Sequence, residues 1–365
     1  MGIKKFFHNK NIFITGHTGF KGSWLAIWLK ELSANITGFS LEPPTNPSLF
    51  ELVKLNSRIN SLIGDIRDFD LLNQALKSSD PEIIFHLAAQ PLVLQSYKEP
   101  IDTFSTNIMG TVNLLEAAKN LNNLRAIVII TSDKCYKNDQ LNNAFIETDP
   151  MGGYDPYSAS KGCAELIVSS YRNSYFNSKD KPLIASARAG NVIGGGDWAK
   201  DRLIPDLVDG FINNRPVEIR NLHSTRPWQH VLEPISGYLT LSQKLIENGK
   251  EFAQAWNFGP SQNNEETVKF IADKTVGFWG DNVSWIDQSD HSSLYEANYL
   301  RLNSEKAFKK AEIIIDFTIP NCTLEILKIA AKLKKKVVIG TTGFTKNQEK
   351  IIKKYSKKIP ILKAG

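Results

Sequence analysis

Tyr157 and Lys161 stand four residues apart in "DPYSASKGCAELIVSSY", which places them on one face of the helix this stretch predicts. That pairing can do proton chemistry. A phenol with an ordinary pKa near ~10 is a poor base at neutral pH, and the expectation is that an ammonium beside it stabilises the phenolate and lowers that pKa. Tyr157 would then take a proton from a hydroxyl while the carbon bearing that hydroxyl gives up hydride. A second group of chemical residues precedes it. "TSDKCY", Thr131 to Tyr136, closes the apolar run "AIVII" with a hydroxyl, a carboxylate and an ammonium in succession, Ser132, Asp133 and Lys134. A Tyr-x-x-x-Lys taken alone is as well read as an ordinary surface pair, so its weight depends on the elements upstream.

Those elements begin with "NIFITG", a short run rich in β-branched residues, followed by "HTGFKGSWLAIWLKEL" with helical periodicity. Between strand and helix lies Gly16-x-x-Gly19-x-x-Gly22. Glycines there let the backbone turn tightly and approach a pyrophosphate, while the helix N-terminus offers free N–H groups. Gly16, Thr18, Gly19, Phe20 and Gly22 are therefore candidate cofactor contacts. The next strand, "NITGFSL", ends near Ser40, with Glu42 two residues on and no Arg nearby to accept a 2′-phosphate. "SLIGDIRD" offers Asp65 and Ile66 at the adenine edge, and "PEIIFHLAAQP" runs out into Leu87, Ala88 and Ala89, small enough at the two alanines for a close approach. His86, inside that strand, reads as a packed, hydrogen-bonded residue. The alternation continues through "NIMGTVNLLEAAKN" and "RAIVIITS", which predicts an α/β doubly wound parallel sheet with its ligand beyond the carboxyl ends of the strands.

At 365 residues and 42% hydrophobic, the chain can bury one large core or two modest ones. No stretch approaches the ~18 apolar residues of a membrane span, so the expected location is cytoplasmic. The three cysteines and six histidines fall at neither disulfide-framework nor metal-ligand spacing, and no metal and no disulfide are expected. The net charge of +6 is uneven. Residues 309–365 hold 14 lysines and no arginine against 4 acidic residues, net +10, which leaves −4 for residues 1–308. Lysines spread along amphipathic helices without aromatics read as a solvated face, and neither nucleic acid nor membrane is an expected partner.

The glycine loop, the Ser-bearing strand end and Tyr157-x-x-x-Lys161 together resemble the extended short-chain dehydrogenase/reductase family. Within it, "GHTGFKGSWL", "SLEPPTNPSLFE", "TSDKCY", "RAGNVIGGGDWAKDRLIPD", "TRPWQHVLEP" and "AWNFGP" resemble the CDP-glucose 4,6-dehydratases over about residues 4–308. The resemblance implies a Rossmann-type NAD-binding domain over residues 1–190, a sugar-nucleotide lobe over 191–310, CDP-glucose as substrate, recycled NAD, a homodimer, and an O-antigen or dideoxysugar route for the product. It assigns C4 deprotonation to Tyr157 with Lys161 and Ser132, and proton donation to the leaving hydroxyl to Asp133. Lys134 is either the base at C5 or a charge that holds Asp133 or orients substrate. Asn191, Arg202, Leu203, Arg226 and His230 fall where the family contacts the sugar nucleotide. Arg226 is the expected pyrophosphate ligand, with a structural salt bridge as its alternative. Trp198 and Trp228 are read as packing for the lobe. The alternatives to this function are another epimerase or dehydratase of the same family and a catalytically dead fusion.

From Ala311 the pattern changes. Where the dehydratase pattern would continue with a Leu-Gly-Trp turn and a final helix, "EIIIDF", "KVVIGT" and "IPILKA" read as three strands separated by two helices. This segment, 311–365, resembles the middle of the 4-hydroxy-tetrahydrodipicolinate reductase family at Asp316 to Pro320, Thr323 to Glu325 and Val338 to Thr345. In that family Gly340 to Gly343 approach a nicotinamide, but the family's own phosphate loop is absent, so no reductase activity is expected. The expectation is a partial βαβαβ fragment joined by gene fusion, frameshift or assembly artefact to a lobe that lacks its terminal helix. Its strands, with their own sheet incomplete, are expected to cover the lobe's apolar surface poorly.

Overall fold

The computed structural model describes residues 2–365 apart from 140–142, 261–265, 281, 290–293, 312, 317–318 and 364–365, and apart from the side chain at 315. Six strands form in order through the first half: β1 (Asn11–Thr15), β2 (Asn35–Ser40), β3 (Asn60–Ile63), β4 (Ile83–His86), β5 (Ala126–Ile130) and β6 (Leu183–Ala189). Four short strands follow, β7 (Val192–Ile193), β8 (Val217–Ile219), β9 (Thr225–Arg226) and β10 (Gln229–His230). Then come β11 (Ala255–Phe258), β12 (Glu266–Thr267) and β13 (Trp285–Asp287). The main sheet has seven parallel strands in the order β11-β6-β5-β4-β1-β2-β3, the doubly wound arrangement expected from the sequence.

Both faces of this sheet are covered, which is why β4 and β5 read as unbroken apolar runs and are buried at every position. Successive side chains go to opposite faces. Ile12, Ile14, Ile83, Phe85, Val128 and Ile130 join one core with the helices Phe20–Glu31 and Leu232–Asn248. Phe13, Ile84, Ile127 and Ile129 join a second, with Leu72, Leu76, Leu114, Leu115 and Val168. The crossover after β4 contains a π-helical turn, Ser105–Met109, between the helices Pro100–Phe104 and Gly110–Ala118.

A smaller lobe forms around Leu207, Phe211, Val217, Ile219, Leu222, Val268 and Ala272. Trp228 packs there and its indole N–H donates to the Glu266 carbonyl, the packing role expected for it. The segment from 294 to 302 then crosses back. Asn138 Nδ2 and Tyr97 Oη donate to the carbonyls of Tyr299 and Tyr295, while the Thr225 amide donates to that of Asn298, so the segment is stitched to both the sheet domain and the lobe.

The last segment forms β14 (Ile313–Asp316), β15 (Lys336–Ile339) and β16 (Ile361–Lys363), parallel and in that order, with the helices Pro320–Leu333 and Lys346–Ser356 between them. Phe317 and Thr318 of the expected "IDFT" element lie outside the described residues. The piece builds a buried core of its own from Ile314, Cys322, Ile326, Leu327, Ala330, Val337, Ile339, Ile352 and Ile359. The helix Glu305–Lys310 is the joint: Ala307 packs on the main core and Phe308 on the tail core. Lys306 Nζ donates to the Ala255 carbonyl (2.6 Å) and lies 4.3 Å from the Trp256 ring centroid, and Lys310 pairs with Glu251. Among the described residues no helix is long and apolar enough to cross a membrane.

Candidate active site

The glycine loop leaves β1 at Gly16, whose φ of +78° favours glycine and whose missing side chain lets the loop press on the segment after β4. A Cβ there would stand 2.7 Å from the Ala88 nitrogen. Gly22 is still tighter, since its Cβ would meet the Gly16 carbonyl oxygen at 2.0 Å. Gly19 is the N-cap of the helix Phe20–Glu31 and supplies no side-chain cap, leaving the first-turn amides for an external anion. Ser40 ends β2 with its hydroxyl 2.8 Å from that of Thr18, which also donates to the Leu41 carbonyl. Phe20 packs on the main core, and Ile66 is buried beside Gly110.

Asp65 is held by Arg67 through paired hydrogen bonds of 2.8 and 2.5 Å, which depress its carboxyl pKa, and Arg67 reaches Asp102 as well. Leu87 and Ala88 donate their amides to the Thr15 hydroxyl, and Ala89 follows them in the same turn. His86 is buried between the Thr15 and Thr111 hydroxyls and kept neutral, its pKa pushed down to about 3 chiefly by burial, in keeping with its structural reading.

Tyr157 and Lys161 enter from the helix Pro156–Ser174, which Asp155 caps through the Ser158 amide. Both side chains are buried, and Lys161 Nζ lies 6.0 Å from the Tyr157 ring centroid. The electrostatics correct the expectation of an activated phenol. Burial pushes the Tyr157 pKa up to about 12; the groups that favour its ionisation are the Ser132 hydroxyl, which hydrogen-bonds it, and the Arg202 charge. Lys161 is brought down to about 8 by the same burial. Desolvation thus outweighs the Ser132 hydrogen bond and the Arg202 charge at the phenol.

Ser132 caps the 3₁₀ turn Asp133–Cys135, its hydroxyl accepting from the Lys134 amide and donating to Asp133 Oδ1 at 3.0 Å. Lys134 Nζ stands 3.3 Å from the same carboxylate oxygen, while Asp133 Oδ2 is buried without a partner. Lys134 also lines a cleft with Asn138, Tyr154, Asp155, Tyr295 and Glu296, between the sheet domain and the returning segment.

The five residues expected to meet a sugar nucleotide lie beyond β6 in the chain. The backbone carbonyl of Asn191 accepts from the Gln229 amide while its Oδ1 is buried and unpartnered, as are the hydroxyls of Ser224 and Thr225. Arg202 pairs with Asp197 (2.8 Å) at the start of the helix Leu203–Ile212, and Leu203 packs on the lobe core. His230 Nδ1 accepts from the Leu232 amide, and burial lowers its pKa. Arg226 is buried and donates to the Thr225 and Asn298 carbonyls and, at 3.4 Å, to Glu296, so its salt-bridge alternative is the one present here.

Two features escaped the sequence reading. Lys21 lies inside the quoted glycine loop, and its position in the first helical turn faces it toward Arg202, Lys161, Asp133 and Lys134; burial and those cations bring it down to about 8. The helical wheel of the loop could have shown this. Glu296 bridges Arg226 and Asn221 (2.6 Å to the latter) from a segment without periodicity, where no local signal existed.

Residues 13–311 match the family model described as GDP-mannose 4,6 dehydratase, and residues 275–365 match that of the dihydrodipicolinate reductase N-terminus. The chain is 56% identical over 309 residues to the CDP-glucose 4,6-dehydratase of Salmonella typhimurium, covering 83% of this chain and 86% of that protein. Over 66 residues it is 70% identical to the 4-hydroxy-tetrahydrodipicolinate reductase of Pelagibacter ubique, 18% of this chain and 26% of that protein. Among solved structures, a dTDP-glucose 4,6-dehydratase double mutant of Streptomyces venezuelae with NAD bound superposes with a TM-score of 0.68 at 20% identity, covering 82% of this chain and 90% of that one. A UDP-N-acetylglucosamine 4-epimerase of Methanobrevibacter ruminantium gives 0.69 at 22%, over 82% and 91% of the two chains. At that identity the likeness carries the fold alone.

Proposed function

We propose CDP-D-glucose as the substrate of this chain, which belongs to the GDP-mannose 4,6-dehydratase family. It is a nucleotide-sugar 4,6-dehydratase, a hydro-lyase. The finer reading is conversion of CDP-D-glucose to CDP-4-dehydro-6-deoxy-D-glucose and water. The observation that supports it is the buried Tyr157–Lys161 pair, with Tyr157 hydrogen-bonded to Ser132 beside Asp133 and Lys134 at the carboxyl end of β5.

NAD fits the glycine loop, where Gly16 and Gly22 pack too closely for side chains and Gly19 leaves the helix N-terminus uncapped. Gly16, Thr18, Gly19, Phe20 and Gly22 would hold its pyrophosphate side, Ser40, Asp65 and Ile66 its adenosine, and Leu87, Ala88 and Ala89 its approach to Tyr157 and Lys161. Bound there, NAD would supply the hydride acceptor for C4 and the hydride donor for C6.

From its ionised form, a minority at neutral pH with the pKa raised to about 12, Tyr157 would take the C4 hydroxyl proton as that carbon is oxidised; the Ser132 hydrogen bond and the Arg202 charge favour that form. The C4 ketone acidifies the C5 hydrogen. Lys134 removes that proton and Asp133 gives one to the leaving C6 hydroxyl, so that water departs and a C5–C6 double bond remains until C6 is reduced and C5 reprotonated. Asn191, Arg202, Leu203, Arg226 and His230 would hold the sugar nucleotide, Arg226 meeting the diphosphate by exchanging its Glu296 contact for it. The same reading places cofactor binding in residues 1–190 and substrate binding in 191–310, and makes 311–365 a fused reductase fragment without reductase activity. It also includes a homodimer, a cytoplasmic site of action and a role in O-antigen synthesis.

The test is direct. The purified full chain, incubated with CDP-glucose and NAD+, is expected to yield the 4-keto-6-deoxy product by mass. Folded protein that binds CDP-glucose yet leaves it unchanged would overturn the reading.

A further inference from the structure

The reacting groups come from two separate pieces of chain. Ser132, Asp133 and Lys134 sit on the turn after β5, whereas Tyr157 and Lys161 sit on the helix Pro156–Ser174. Nothing in the sequence joins those pieces rigidly, yet the chemistry needs them fixed to within fractions of an ångström. One buried side chain touches both supports. Arg188 is the buried penultimate residue of β6, beside β5, with Thr131 N donating to the neighbouring Ala187 carbonyl. Its Nη2 donates to Glu165 Oε2 at 2.8 Å, and its Nη1 donates to the Tyr136 hydroxyl at 2.7 Å and to the Glu147 carbonyl at 3.1 Å.

Each contact leads to one half of the site. Glu165 is one helical turn beyond Lys161 and two beyond Tyr157 on the buried face, and it also accepts from Thr131 Oγ1 (2.5 Å) and Ser186 Oγ (2.7 Å). It therefore pins the catalytic helix to the ends of β5 and β6. Tyr136 immediately follows the Asp133–Cys135 turn, lies with its ring 4.9 Å from the Arg188 guanidinium, and donates its own hydroxyl to Asn257 Oδ1 at 2.6 Å on β11. Arg188, Glu165 and Tyr136 are all at most 5% exposed. A fully buried ion pair is a poor way to gain stability, because desolvation consumes most of its Coulomb energy. A planar fork that must meet two partners at once is a good way to set their relative position.

We propose that Arg188 is a positioning residue that locks the Ser132–Asp133–Lys134 turn and the Tyr157–Lys161 helix into one register, holding the turn through Tyr136 and the helix through Glu165. The proposal rests on the reaction assigned above. Glu165 has a second effect through charge. The groups facing Lys161 are Tyr157 and Glu165 on its own helix, Cys135 on the turn, His86 at the end of β4, Lys21 on the glycine-loop helix, and Arg188 behind Glu165. Of these, Cys135 and then Glu165, the carboxylate one turn away, favour the protonated lysine.

Three full-length variants test it, Arg188→Lys, Glu165→Gln and Tyr136→Phe. Two measurements are made on each: steady-state turnover of CDP-glucose, and the titration of Lys161 by NMR of protein labelled at lysine Cε, assigned with Lys161→Met. Arg188→Lys keeps the charge but loses the fork, and is expected to lower kcat by ~10–100-fold with KM within about twofold. Glu165→Gln is expected to move the Lys161 titration, and with it the alkaline limb of the rate profile, down by about one pH unit. Tyr136→Phe is expected to lower kcat less than Arg188→Lys, and the double variant is expected to be no worse than Arg188→Lys alone, since the two act through one contact. Variants that lose only thermal stability, with kcat, KM and the Lys161 titration unchanged, overturn the proposal. If Arg188→Lys does not fold, the other two variants decide. If the wild-type chain leaves CDP-glucose unchanged, the substrate reading fails, while the NMR titration still judges the clamp.

Discussion

Asp133 and Lys134 are sequence neighbours whose charged ends face each other, Nζ to Oδ1 at 3.3 Å, while the second carboxylate oxygen of Asp133 is buried with no partner. The pair is asymmetric in exposure. Asp133 is enclosed, and Lys134 reaches into the cleft bounded by Tyr154, Asp155 and Tyr295. A proton donor to a leaving hydroxyl belongs on the enclosed side, and a base for a carbon acid belongs where the sugar enters. Lys134→Ala is accordingly expected to stop formation of the 6-deoxy product while leaving C4 oxidation detectable, a loss of ~10²–10⁴-fold in elimination. The readout is product mass together with exchange of the C5 hydrogen in deuterated water. Normal product formation would leave Lys134 as a charge that holds Asp133.

Lys161 keeps its proton only below about 8. Its ammonium, and whatever it contributes to holding substrate or cofactor, is present below that value and lost as pH rises through it. The rate profile of kcat/KM is expected to fall across that window in the wild type. Lys21, which is also brought down to about 8, would give the same limb, so Lys161→Arg separates them: a guanidinium stays charged, and the fall should vanish or move well upward if Lys161 is its source. A limb that stays in place assigns it to Lys21.

Gly19 and Gly22 make different demands, and alanine at each distinguishes them. At Gly22 a Cβ would stand 2.0 Å from the Gly16 carbonyl oxygen, so Gly22→Ala must displace the helix and should cost about 1–3 kcal/mol of stability. At Gly19 the nearest protein atom to a Cβ is the same oxygen at 3.5 Å, ordinary contact distance. Gly19→Ala should therefore melt at the wild-type temperature and bind NAD more weakly, since the added methyl occupies only the space where a pyrophosphate would lie. Thermal melts and cofactor titrations of the two variants check the contrast.

Glu233, near the start of the helix Leu232–Asn248, has its pKa pushed up to about 8, first by burial and then by the charge of Asp316 in the appended segment. Its folded value lies above the unfolded one near 4.5. The folded state therefore binds the proton more tightly, and stability is lost as pH rises from about 4.5 to about 8. Glu233→Gln removes a group that must otherwise ionise inside the protein. Its melting temperature is expected to match the wild type near pH 4.5 and to exceed it increasingly up to pH 8, with the gap constant above that. A gap independent of pH would show that Glu233 is not the group responsible.

The local chemistry was legible in the sequence because it is carried by short-range patterns. The period-two and unbroken apolar runs of β1, β4 and β5, the helical wheel behind Tyr157 and Lys161, and the glycines at 16, 19 and 22 each encode one element and its neighbour, which is all that backbone sterics and burial require. So was the break at Ala311, where a helix runs into a new strand without a linker. What the sequence could not decide are relations between residues far apart in the chain. The phenol of Tyr157 was expected to be acidified by Lys161, but how much water surrounds the pair depends on elements brought together only by the fold, and burial reversed the sign. Three strands and two helices were legible in the appended segment, but whether Ile314, Ile326 and Ile339 find partners is settled by the two helices folding over one sheet. Arg226 facing Glu296, and Arg188 between Glu165 and Tyr136, have no sequence signature at all. Local patterns determine which elements form, while solvent exclusion and charge pairing arise only where those elements meet.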